Sequence, residues 1–266
     1  MRRELAPISD AAWSAIDDEA TRVLKLKLAA RKLVEFHGPK GPDFSAIQLG
    51  RLQSVKSPLA GVDAATRRVQ LLTELRTSFE LSRTELDAIE RGCPDPDLEP
   101  LVEAATRIAA VEDAAVFHGY AAGGIEGIAQ ASPHPTQTIS ADYSAYPRCV
   151  AEATRLLRHA GVDGPYGIAL GPRCYAGLTQ ATQGGYPVLS VIKRIVDGPI
   201  VWAPAVDGAV VLSTRGQDFE LTVGRDLSIG YVSHTDSAVR LYFTESFTFR
   251  VLTPEAAVAL TYKKGK

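Results

Sequence analysis

Apolar residues recur at helical spacing from near the start of the chain. After Pro7, with Ser9 or Asp10 as a cap, Trp13, Ile16, Ala20, Val23, Leu24 and Leu28 form a stripe, while Asp17, Asp18, Arg22, Lys25 and Arg31 are among the other positions. The pattern predicts an amphipathic helix. Its stripe either packs on its own domain or presents part of itself as a groove for an extended or helical partner. HGPKGP, from His37 to Pro42, ends the helix sharply.

Residues 44–75 read as an extended excursion: Ile47, Leu49 and Leu52 alternate, SPLAG turns, and Val69, Leu71 and Leu75 follow. The span has few local partners for its apolar face. It is either a hairpin folded back on its own core or an arm lying on a neighbouring subunit. CPDPDLEP then marks a helix start. Behind it Leu98 to His118 carries Leu101, Ala104, Ile108, Val111 and Ala115 on one face and Val102, Ala105, Ala109 and Val116 on another. A helix apolar on two faces is mostly buried, so this one is expected to be a central strut.

Beyond GYAAGGIEGI the spacing predicts a helix from Pro147 to Ala160, a strand in GVDGPYGIAL and a small polar Gly-rich loop at TQATQGGYP, Thr179 to Pro187. From Pro199 the period is two, ending in a long strand from Ala238 to Val251. No repeat of solenoid period is present. The class is α+β, with residues of about 135–225 as a separate lobe.

With 266 residues, 45% hydrophobic, the chain has ample material for a buried core. A formal charge of −2, with dispersed basic residues, gives no case for nucleic-acid binding. Cys93, Cys149 and Cys174 form no CxxC and leave one over, against a disulfide framework or Cys-rich zinc site. No apolar run approaches ~18 residues, so no transmembrane helix is expected. The N-terminus turns acidic where a signal peptide requires an apolar stretch. The expectation is a soluble cytoplasmic protein; the C-terminal KKGK reads as exposed.

Catalytic constellations are missing. The sequence holds no GxSxG, HExxH, GxGxxG after a strand or GxxxxGK[ST]. Gly119, Gly123, Gly124 and Gly127 follow a helix and read as its cap and turn. His37, His118, His134, His159 and His234 are scattered and read as structural or surface residues; no Glu-x-x-His pair of a diiron site occurs. Asp17, Asp18 and Glu19 read as a solvated helix face, and Asp95, Asp97 and Glu99 as helix-start chemistry. No metal site is expected, and no enzyme.

The segments RELAPISDAAW, ARKLVEFHGPKG, LGRL, ELDAIERG, VEDAAVFHG, GIEGI, GVDGPYGIAL, GYPV, VDG, STRGQDFELTVGRDLSIGY and AVRLYFTESFTF occur in this order over nearly the whole chain. In them the chain resembles the linocin-like encapsulin shell proteins, family 1, closest to the actinobacterial type. The resemblance implies an HK97-type phage capsid fold with a peripheral domain, an axial domain and an extended loop. Residues 1–43 would be an N-terminal helix and cargo-facing segment, 44–75 the extended loop, 76–134 the peripheral domain with its spine helix, 135–225 the axial domain and 226–266 returning peripheral strands. It implies enclosure rather than catalysis: about sixty copies, by icosahedral symmetry, build a hollow nanocompartment.

The resemblance further implies a cargo enzyme, a dye-decolorising peroxidase or a ferritin-like protein, whose C-terminal targeting peptide docks on the inner wall. The groove by that pattern takes Leu24, Leu28, Arg31, Val34 and Phe36 with Ile229 and Tyr231, Arg31 pairing with a polar or carboxylate group of the peptide. Gln183, Gly184, Gly185 and Tyr186 would line a fivefold pore passing small ions and substrates; with Gly185 where some relatives have His, a His-ring gate is not implied. One branch binds flavin through a Trp where this chain has Thr84, so no flavin or other cofactor is expected. The alternative is a prophage major capsid protein packaging DNA, disfavoured because no long basic extension precedes the first helix. A soluble enzyme of unknown type is the third reading, disfavoured by the missing constellations.

Overall fold

In the computed structural model, which describes residues 1–262, the first helix starts where its cap predicts; the KKGK tail lies outside the described residues. The Ser9 hydroxyl oxygen accepts a hydrogen bond from the Ala12 N–H at the head of α1 (Asp10–Lys27), satisfying one of the donors that every helix start leaves over. Ala12, Ile16, Ala20 and Val23 are buried, so this stripe packs mainly on its own chain. A short strand β1 (Glu35–His37) follows. Next come β2 (Ala46–Val55) and β3 (Ala64–Leu71), paired antiparallel in a sheet of their own.

The chain then returns to the body as β4 (Thr73–Ser82), α2 (Arg83–Glu90) and the strut α3 (Glu99–His118). After α4 (Ile128–Ala131) and β5 (Gln137–Ile139) come α5 (Tyr146–His159), β6 (Tyr166–Leu170) and α6 (Pro172–Gln180). The hairpin β7 (Thr182–Gln183) and β8 (Tyr186–Pro187) leads into α7 (Val188–Val196) and β9 (Asp197–Trp202). The last strands are β10 (Ala209–Ser213), β11 (Phe219–Val223), β12 (Ser228–His234), β13 (Ala238–Val251) and β14 (Ala257–Tyr262).

Two five-stranded sheets organise these elements. In the first, the long β13 carries β4 along one edge and β12 and β11 along the other, with β1 parallel beside β11. Phe79 and Leu81 of β4 and Val239, Leu241 and Phe243 of β13 meet Ile16, Ala20 and Val23 of α1 and Leu101, Ala104 and Ile108 of α3 in one core. The alternation of β13 and the stripes of the two helices are halves of the same packing problem.

The second sheet has the order β5-β14-β10-β6-β9, and α5, α6 and α7 contribute to its core with Val150, Leu157, Leu178 and Ile192. Tyr166 to Leu170 in β6 and Ala209 to Ser213 in β10 are buried at every position, as befits central strands covered on both faces.

Three details differ from the sequence expectation. β11 lies at 219–223 in the first sheet, although the expected axial lobe spans 135–225; β14 lies at 257–262 in the second, although 226–266 are expected as peripheral return strands. Alternation marks a strand without naming its neighbours, which are fixed by long-range pairing. The third detail lies in α3. Val111 is 44% exposed, while the adjacent Glu112 and Asp113 are fully buried.

The hairpin β2–β3 projects from this body. Leu52 and Leu59 are each 68% exposed, and Val55, Val62, Val69 and Leu71 are also exposed. Its root is tied down by Gln70, whose amide donates to Thr248 Oγ1 at 2.9 Å and to the Phe249 carbonyl at 2.7 Å. Most of its apolar face therefore finds no cover within the chain, so the hairpin is not folded back on its own core. Among the described residues, no helix is long and apolar enough to cross a membrane.

Candidate functional site

The residues expected to form a groove beside α1 are shared between the two cores and divide into buried and half-buried sets. Leu28, the C-cap of α1, is 7% exposed, and Ile229 is buried opposite Phe243 in the β12–β13 ladder. These two are core residues. Leu24 and Tyr231 are half-buried against the core beneath the first sheet, and Val34 and Phe36 are half-buried against the larger core. The Tyr231 hydroxyl lies 2.6 Å from His234 Nδ1, and its backbone N–H donates to the Met1 carbonyl. The N-terminal residues thereby run beside β12, where Arg3 Nε also donates to the Ile229 carbonyl at 2.9 Å.

Arg31 is already engaged within the chain. Its Nε and Nη2 donate to Glu112 at 2.9 and 2.6 Å, Nη1 donates to Asp226 at 2.8 Å, and Nη2 also donates to Glu245 at 2.5 Å. The guanidinium carbon lies 4.9 Å from the centre of the Phe36 ring, a cation–π contact. A guanidinium has five N–H donors, and four of these are used here within the chain. The expected role of Arg31 as a partner for a peptide carboxylate is corrected accordingly: its charge is neutralised internally.

Burial disfavours the charge on Arg31, but Glu112, Glu245 and Asp226 outweigh that and hold the guanidinium firmly protonated. On the acid side, burial first and the neighbouring Glu112 second raise Glu245 well above the usual carboxylate range, with Arg31 opposing. Its Oε2 is buried without a hydrogen-bond partner, which fits a carboxyl that keeps its proton. Asp113 receives the N–H groups of Ala29 and Ala30, each at 2.9 Å. Burial pushes its carboxyl up to about 7 against the pull of those two donors.

No local sequence motif marks this network, because its members are about 80 to 210 residues apart in sequence. The available signal was a pattern violation: Glu112–Asp113 inside an apolar helix, and Glu245 at a buried position of β13. Such residues are rarely buried without partners.

Next to Arg31 a cleft of about 410 Å³ is lined by Arg31, Lys32, Leu33, Val34 and Glu35 on one side and by Pro199, Ser213–Gly216, Asp218 and Phe219 on the other. Of the expected groove residues it takes in Arg31 and Val34 only. Gln183, Gly184, Gly185 and Tyr186 come together at the tip of the β7–β8 hairpin, all exposed. Gly184 at φ 58° and Gly185 at φ 85° make a tight two-residue connection in the left-handed region, the conformation that matches strand twist in a two-residue hairpin. Thr84 is exposed on α2. His118 Nε2 lies 3.0 Å from the Ala205 carbonyl and His134 Nε2 lies 2.9 Å from that of Glu255, structural placements both.

The geometry is that of a scaffold with unsatisfied outer surfaces. Comparison with known proteins agrees. Residues 1–248 match the family model described as encapsulating protein for peroxidase. The chain is 51% identical over 267 aligned residues to the type 1 encapsulin shell protein of Rhodospirillum rubrum, covering 98% of this chain and 95% of that one. It is 46% identical to the type 1 encapsulin shell protein of Mycobacterium tuberculosis, covering 98% of each. Among solved structures, a virus-like particle from Pyrococcus furiosus superposes with a TM-score of 0.66 at 16% identity, covering 92% of this chain and 97% of that one. The Gordonia phage Cozz gives 0.58 at 15%, covering 90% and 87%. At such identity these two establish the fold, that of tailed-phage capsid proteins.

Proposed function

The chain belongs to the encapsulin shell proteins, a structural family rather than a family of enzymes, and from that premise we propose that its copies assemble into a closed icosahedral nanocompartment of about sixty subunits. The observation that carries the reading is the β2–β3 hairpin. A two-stranded sheet is marginal by itself in water, and this one exposes Leu52, Val55, Leu59, Val62, Val69 and Leu71. The body of a neighbouring copy is the cover that such an arm requires. The arm (46–71), the strut, the lobe around the second sheet and the strands around β13 then serve as extended loop, spine helix, axial domain and peripheral domain.

The shell encloses a cargo enzyme, a peroxidase or a ferritin-like protein. Its apolar C-terminal peptide docks on Leu24, Val34, Phe36 and Tyr231, the half-buried members of the expected set, with Leu28 and Ile229 as the floor and Arg31 as a fixed wall. Each contact is weak, and many sites in one shell offset that through avidity. The β7–β8 tips, with Gln183, Gly184, Gly185 and Tyr186, converge to rim a pore that passes ions and small substrates. The particle resides in the cytoplasm.

The test is size-exclusion chromatography with electron microscopy of the purified protein, followed by co-expression with a peroxidase bearing such a tail. Hollow megadalton particles that retain the tagged protein are expected. Small oligomers would refute the shell. Particles filled with nuclease-resistant DNA would instead establish the phage-capsid reading.

A further inference from the structure

We propose that Glu35, His37 and Glu220 form a binding site for a divalent transition-metal ion of the zinc, manganese or iron(II) class. The site is built on paired strands rather than on loops. β1 and β11 run parallel with Glu35 opposite Glu220 and His37 opposite Thr222. Glu35 and His37, two residues apart, share one face of β1, while Phe36 between them packs on the core. Strand pairing therefore sets two carboxylates and an imidazole side by side.

The atoms that converge are the ones a metal would use. His37 Nε2 lies 3.6 Å from Glu35 Oε1 and 3.8 Å from Glu220 Oε1, and all three ligand atoms fall within 4.8 Å of one another. These separations are too long for hydrogen bonds. They are close to the roughly 3–3.5 Å between neighbouring ligands of an ion with bonds of about 2.1 Å. The distal oxygens are anchored elsewhere: Glu35 Oε2 accepts the Gln217 N–H at 2.9 Å, and Glu220 Oε2 accepts from Arg250. Each carboxylate is thus oriented by its outer oxygen and offers the inner one to His37, the support that oriented metal ligands have in established sites.

Imidazole with two carboxylates suits zinc, manganese and iron(II) over calcium or magnesium. The three residues are half-buried, so water has access to the remaining coordination positions. Arg250 offsets one carboxylate, leaving the triad with one negative charge before the ion binds. The site faces away from Phe36, so it is separate from the docking strip, and it lies within one chain, so it does not depend on assembly. A bound ion would rivet β1, which follows the Arg31 turn, to the sheet.

The test is titration of chelator-stripped protein with zinc chloride by calorimetry, and with cobalt chloride by visible absorption. One ion per subunit is expected in the wild type. His37→Ala and Glu35→Gln are each expected to weaken zinc binding at least about tenfold and to abolish the cobalt spectrum, while His159→Ala leaves both unchanged. Gln at position 35 retains an acceptor for the Gln217 N–H, so this variant serves if His37→Ala folds poorly. Absence of binding in the wild type, or binding in both triad variants equal to it, would overturn the proposal.

Discussion

Arg31 and Glu112 form a bidentate ion pair across 81 residues of sequence, Nε and Nη2 donating to the two carboxylate oxygens at 2.9 and 2.6 Å. The pair fastens the turn after α1 to the middle of α3, and Glu245 extends it to β13. Two of the three carboxylates around the guanidinium, Glu112 and Glu245, are fully buried. The network is therefore a junction between three elements, and its cost in desolvation makes it sensitive to the loss of any member.

Arg31→Met is expected to destabilise the subunit by about 3–5 kcal/mol, because it strands buried carboxylates without their cation. Arg31→Lys, whose single ammonium cannot reproduce the fork, is expected to fall between wild type and Arg31→Met. Chemical denaturation midpoints measure both. An unfolding free energy within about 0.5 kcal/mol of wild type for Arg31→Met would contradict the junction.

Stability is expected to fall as pH rises from the acid range to neutrality. Asp113 holds its proton more tightly when folded, its ordinary value of 3.8 being raised to about 7, and Glu245 is raised as well, burial being the leading cause for each. Such groups contribute their stability in full below the unfolded pKa and lose it as pH climbs through the folded one. For Asp113 that window runs from 3.8 to about 7. Glu245→Gln, a neutral mimic of the protonated acid, is expected to make the decline shallower. Melting temperature against pH for both proteins decides it; parallel curves count against a protonated Glu245.

Deleting residues 55–65 removes the hairpin tip, including exposed Leu59 and Val62. None of these residues belongs to either buried core, so the subunit is expected to keep its far-ultraviolet circular dichroism while particles disappear from light scattering. Wild-type particles from this deletion would remove the arm from assembly.

Leu24→Asp is the informative substitution for cargo docking, since Leu24 is half-buried, whereas an acid at Leu28, 7% exposed, would be forced into the core. Intact shells with cargo content reduced about tenfold are expected, from the loss of an anchor worth 1–2 kcal/mol, roughly. Undiminished co-purification would move the docking site elsewhere, the cleft between Val34 and Phe219 being the next place to look.

At the β7–β8 turn, Gly185→Val forces a β-branched residue to φ 85°, a cost of about 1–2 kcal/mol, whereas Gly185→Asn is expected to be tolerated. No atom lies within 4 Å of an added Cβ at Gly185, so any loss seen by thermal melting reports backbone strain. Equal stability of the two variants would contradict the left-handed turn.

Local pattern in the sequence determined α1 with its Ser9 cap, the strut α3, the alternation of β13 and the extended nature of the arm, because capping, period and turn chemistry act over a few residues. The ordered segments that resemble encapsulin shell proteins likewise carried the family. Tertiary structure alone decided that β14 joins the second sheet and β11 the first, that Leu28 and Ile229 are buried core residues, and that Arg31 is held by Glu112, Asp226 and Glu245. It also set Glu220 against Glu35 and His37. Each of these depends on pairing between residues far apart in the chain, and an isolated charge in a sequence carries no mark of the partner that folding will bring to it.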